Sequence, residues 1–73
     1  MPKLGIFSGR EVRRILENEG FLCVRQKGSH MVLQKREDET TVTVPVPDHA
    51  EIRIGTLQSI IRQSGLARDQ FMR

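Results

Sequence analysis

Seventy-three residues with a net charge of +3 allow one domain, spanning 1–73, around one thin core, with no room for a deep cofactor pocket. The single cysteine excludes an internal disulfide and a cysteine-based metal site, which suits a reducing cytoplasm. No apolar stretch approaches membrane-spanning length, and Met1-Pro2-Lys3-Leu4 shows no signal-peptide pattern, so a cytoplasmic protein without a membrane partner is expected. Charge is unevenly spread: residues 1–36 carry eight basic and three acidic side chains, 37–51 carry five acidic and no basic ones, and 52–73 carry four basic and one acidic. The basic parts favour a polyanionic partner such as nucleic acid, whose path should avoid the acidic middle.

Ser8 has the character of a helix N-cap, with Glu11 three residues on completing a capping box. Val12, Ile15 and Leu16 follow at helical spacing and Gly20 lies just past the end, so the first helix is expected over Gly9 to Asn18. Arg10, Arg13 and Arg14 fall off the apolar stripe, as a solvated face requires. Phe21 to Lys27 reads as a strand with Leu22 and Val24 facing the helices and Cys23, Arg25 and Lys27 on the other side. Gly28 takes positive φ cheaply and can turn the chain into a second strand, His30 to Lys35, with Met31 and Leu33 inward. Arg25, Lys27 and His30 then share the open face of a sheet.

The polar stretch Arg36-Glu37-Asp38-Glu39-Thr40 reads as a hairpin loop, and the alternation of Thr41-Val42-Thr43-Val44 as a third strand with Val42 and Val44 inward. Pro45 and Pro47 should end it, since neither donates a ladder hydrogen bond. After a loop at Asp48-His49-Ala50-Glu51, Thr56 is the expected N-cap of a second helix with Leu57, Ile60 and Ile61 as its stripe and Gly65 as its stop. Leu66 and Phe71 fit a short final turn lying on the core. The expected core comprises Val12, Leu22, Val24, Met31, Leu33, Val44, Leu57 and Ile60. The whole is an α+β fold: helix, three-stranded antiparallel sheet, helix, short terminal helix.

The stretch Lys27-Gly28-Ser29-His30 carries the chemistry. RNA contains its own nucleophile, the 2′-hydroxyl, which attacks the adjacent phosphate once a base removes its proton. Histidine titrates near neutrality and serves as that base, or as acid for the leaving 5′-oxygen. Lys27 and Arg25 would neutralise the pentavalent phosphate, and Gly28 and Ser29 would offer N–H groups to its oxygens. No second acid–base group stands beside His30 in sequence, and no cofactor or metal is called for. His49, in an acidic, proline-rich loop, reads as a solvated side chain, and Cys23 as a strand filler. With no Trp or Tyr and three scattered Phe there is no base-stacking platform, so any RNA is held through backbone and charge.

Glu19-Gly20-Phe21, Arg25-Gln26-Lys27-Gly28-Ser29-His30, Val42-Thr43-Val44-Pro45 and Gly55-Thr56-Leu57-Gln58-Ser59-Ile60-Ile61-Arg62-Gln63-Ser64-Gly65 resemble, in order, the HicA (YcfA-like) family of toxin ribonucleases from toxin–antitoxin pairs. The resemblance implies a fold similar to double-stranded-RNA-binding domains. It also implies metal-independent cleavage of mRNA, with the histidine of Gly-Ser-His, here His30, as catalytic residue. The partners it implies are mRNA and a HicB-type antitoxin covering the active site. The family often has a histidine soon after the third strand; here Pro47-Asp48 precedes His49, and no catalytic role carries over to it. The competing reading is a non-catalytic RNA-binding module of the double-stranded-RNA-binding type. Such modules carry lysines at the start of the last helix, where this chain has Ile54-Gly55-Thr56-Leu57 and only Arg53 nearby.

Overall fold

The computed structural model describes residues 4–72. Met1-Pro2-Lys3, part of the stretch read above as lacking a leader pattern, lies outside them. The first helix, α1, spans Gly9–Asn18, and its capping box is complete: Ser8 Oγ accepts from the Glu11 N–H at 3.1 Å and the Ser8 N–H donates to Glu11 Oε1 at 2.9 Å. The helix ends in a Schellman motif. Gly20, at φ 99°, lets the Phe21 N–H reach back to the Leu16 carbonyl at 3.0 Å and its own N–H reach Glu17 at 3.1 Å. Phe21 and Leu16, joined by that bond, are both fully buried. This is the physical content of Glu19-Gly20-Phe21: the glycine turns the chain and the phenylalanine anchors it.

Three antiparallel strands follow in the order β1 (Leu22–Lys27), β2 (His30–Glu37), β3 (Thr40–Pro47), joined by two-residue turns at Gly28-Ser29 and Asp38-Glu39. Positive φ falls on the first turn residue in each case, Gly28 at 60° and Asp38 at 52°. The second loop is therefore much tighter than the expected Arg36–Thr40 connector, because Asp tolerates the left-handed region.

Strand β1 departs from the expected alternation. Cys23 pairs with Leu33 but Arg25 with Val32, so Val24 is an extra residue in a β-bulge. Leu22 and Val24, expected in the core, are 68% and 52% exposed, while Cys23, expected on the open face, packs against the core. Strand β3 also corrects the expectation. It runs on through Pro45 and Pro47, and Val46 between them is fully buried. Both prolines are tolerated because β3 is an edge strand: Asp48 turns its N–H to Ser29, just before β2, so the alternate positions 45 and 47 turn their missing donors away from β2.

Helix α2 spans Ile54–Ser64, three residues earlier than a Thr56 cap would allow; Arg53 is the N-cap, with no side-chain cap bond. Gly65 closes it in the left-handed conformation, as expected. A 3₁₀ turn at Arg68–Phe71 buries Phe71 edge-on against Phe7, ring centroids 6.2 Å apart. The helices cover one face of the sheet, over a single core cluster that includes Val12, Leu16, Phe21, Met31, Leu33 and Val46.

One end of the sheet is tied to α1 by close backbone approach. The Gly9 N–H donates to the His49 carbonyl at 2.8 Å, and a Cβ at Gly9 would run into the Pro47 carbonyl oxygen. Gly55, by contrast, has open space where its Cβ would be. Gly9→Ala should therefore cost about 1–3 kcal/mol through overpacking, whereas Gly55→Ala should be neutral or stabilising by up to about 1 kcal/mol. Urea unfolding of both variants measures the contrast.

Candidate active site

The Schellman turn and the bulge together decide what β1 presents. Phe21 and Cys23 go inward; without the extra residue, Arg25 and Lys27 would follow them. With it, Arg25 pairs with Val32 and Lys27 with His30, all on the face opposite the helices. Arg25, Lys27, Gly28, Ser29 and His30 are all exposed. The sequence-based placement of Arg25, Lys27 and His30 on one open face thus holds, as does the inward turn of Met31 and Leu33, although Leu22 and Val24 do not face inward with them.

The turn between Lys27 and His30 is held from below. The Asp48 N–H donates to the Ser29 carbonyl at 2.6 Å, extending the β2–β3 pairing one step past Pro47. The Asp48 carboxylate accepts from Gln26 Nε2 at 3.3 Å and from Arg10 Nε at 3.4 Å. Arg10 is 82% exposed on its side chain, so the ion pair contributes little, and the short backbone bond does most of the fixing. Asp48 thereby joins α1, β1 and the turn. From the sequence alone Asp48 reads as a loop residue. The signal was present: counting back from a two-residue turn at Asp38-Glu39 sets Ser29 opposite Asp48.

Pro47 stands directly across from His30 and offers no proton. His49, two residues on, is exposed at the same end of the sheet. Among the described residues, no three side chains of His, Cys, Asp or Glu are grouped as a metal site requires. Cys23 is half-buried, its thiol directed at the Arg25 carbonyl 3.6 Å away.

The surface around His30 is open. Two shallow hollows run along α1 instead, one lined by Arg10, Glu11, Arg14 and Ile15, the other reaching Gln26, Met31 and Asp48, and neither includes a residue of the Lys27–His30 turn. An exposed imidazole flanked by cations on a bare sheet suits a polymer laid across it better than an enclosed small molecule. Among the described residues, no helix is long and apolar enough to cross a membrane.

No curated protein matches the chain. A family model described as HicA toxin of bacterial toxin–antitoxin matches residues 9–66, from the first residue of α1 to just past the Gly65 stop, and so takes in both helices, the sheet and the turn. The chain therefore belongs to the HicA toxin family of bacterial toxin–antitoxin systems, and its role is that of a toxin held by an antitoxin partner.

Proposed function

We propose that this toxin is a metal-independent endoribonuclease of the cytoplasm, acting on mRNA as a single domain, with His30 transferring the proton. Its observational support is the cross-strand pair of His30 and Lys27, exposed together, with Arg25 two residues along the same face. The imidazole removes the proton of the RNA 2′-hydroxyl or supplies one to the departing 5′-oxygen; the O2′–P bond forms as the P–O5′ bond breaks. Lys27 and Arg25 neutralise the charge that builds on the equatorial phosphate oxygens. The N–H groups at the centre of a two-residue turn lie outside the ladder, which supports a role for those of Gly28 and Ser29 in binding a phosphate oxygen.

The inhibitory partner on this reading is a HicB-type antitoxin that covers the open face, where occluding His30 and pairing with Arg25 and Lys27 gain it most. A module that binds RNA without cutting it would use the same cations, and differs only in lacking turnover.

RNA should be degraded in excess EDTA and left with 2′,3′-cyclic phosphate and 5′-hydroxyl ends, since the attacking group belongs to the RNA. Cleavage seen only after a divalent cation is added, or binding with no cleavage, sinks the mechanism. Lys27→Ala should weaken binding of all RNA sequences alike and lower the slope of log K against log salt by about 1. A changed sequence preference in Lys27→Ala would show that the side chain reads bases instead.

A further inference from the structure

A single imidazole leaves the reaction half served, because one group must take a proton while another gives one. The side chains beside His30 on the open face do not supply the second. Lys27, its partner on β1, is a cation, and Pro47, its partner on β3, has no proton to exchange. The second histidine of the chain lies one step further along. The Asp48–Ser29 bond carries the β2–β3 pairing one step past Pro47, and His49 is the next residue, two along from the partner of His30; a ladder continued that far would set it diagonal to His30. Diagonal neighbours across antiparallel strands are separated by about 7–8 Å at Cα, against about 4.5–5.5 Å for directly opposed residues. That spacing leaves room for a tetrahedral phosphate between two rings.

Three further observations favour His49. Asp48 sends its carboxylate to Gln26 and Arg10, on the helix side of the sheet, and successive side chains of an extended segment alternate. If that alternation continues one residue beyond β3, the side of His30 is the one left to His49. Its backbone is fixed by the Gly9 N–H on its carbonyl at 2.8 Å, and Gly9 permits that approach because a Cβ would clash there. The imidazole itself is exposed and free to meet a substrate. The charged groups nearest in chain and register are Lys27 and Arg25 on β1, the Arg10–Asp48 ion pair, and Glu51 two residues on.

We propose that His49 is the second proton-transfer group of the site, paired with His30 across the scissile phosphate. The inference rests on the ribonuclease reading above. One imidazole accepts the 2′-hydroxyl proton as O2′ bonds to phosphorus, and the other, entering protonated, gives its proton to O5′ as the P–O5′ bond breaks. The two rings end with exchanged protonation states, and water resets them, so no further reactant is needed.

The test compares the wild-type protein and His49→Ala on one RNA, in EDTA, across a range of pH, with melting followed on the same samples. Wild type should give a bell-shaped pH–rate curve. His49→Ala should melt as wild type does, lose at least ~10²-fold in rate, keep one limb of the bell, and regain part of its rate when imidazole is added. Wild-type rates in a variant that keeps both limbs would overturn the role of His49 and leave His30 as it stands. A slow variant with both limbs intact and no response to imidazole would also overturn it, since His49 would then act only in binding or structure. A wild type that does not cleave RNA at all would instead overturn the underlying ribonuclease reading.

Discussion

The extra residue at Val24 is the constraint on which the site depends. A strand that began with Phe21 in the core and alternated strictly would bury Arg25 and Lys27 under the helices, and burying two unpaired cations there is prohibitively costly. The bulge changes the phase once, between Cys23 and Arg25. The apolar start of the strand then seals the core while its basic end lies beside His30. Leu22 and Val24 are left half or more in water.

That same end of the sheet is held by backbone geometry more than by side chains. Gly9, Pro47, Asp48 and His49 meet where the N-terminus of α1 crosses the end of β3, and Asp48 reaches from there to the turn that precedes His30. A reactive group on an exposed turn is ordinarily mobile; here the turn is two residues long, its first residue is a glycine at φ 60°, and its last carbonyl is tied down. On the proposed reading the fold keeps its stability in the buried cluster and its chemistry on a face that adds little to stability. If the antitoxin covers this face, as proposed, it occludes the site without disturbing the core.

What could be read in the sequence is what local chemistry determines. Ser8 and Glu11 announce the start of α1, Gly20 and Gly65 its end and that of α2, and Gly28 the hairpin, because each acts within a few residues of itself. The bulge was not legible, since Phe21-Leu22-Cys23-Val24 is apolar throughout and fits either phase; only pairing with Leu33 and Val32 decides. The prolines misled for a related reason. They end a central strand but not an edge strand whose donors turn outward, and which strand is the edge is a property of the whole sheet. Thr56 is a better N-cap by type than Arg53, yet the helix begins at Ile54 and exposes that side chain by 55%. The role of Asp48 follows from register, which the short turn at Asp38-Glu39 sets from a distance.

The most direct measurement is the activity and stability of His30→Ala on the same preparation. His30 is exposed at the edge of a turn and outside the core, so its removal should change unfolding free energy by no more than about 0.5 kcal/mol and lower RNA cleavage by at least ~10²-fold. The variant should still bind RNA and the antitoxin, and cells should tolerate it at levels where the parent arrests growth. A variant that melts early and loses activity only in proportion to its folded fraction, or one that cleaves RNA at the parental rate, would contradict the assignment of the reaction to this face.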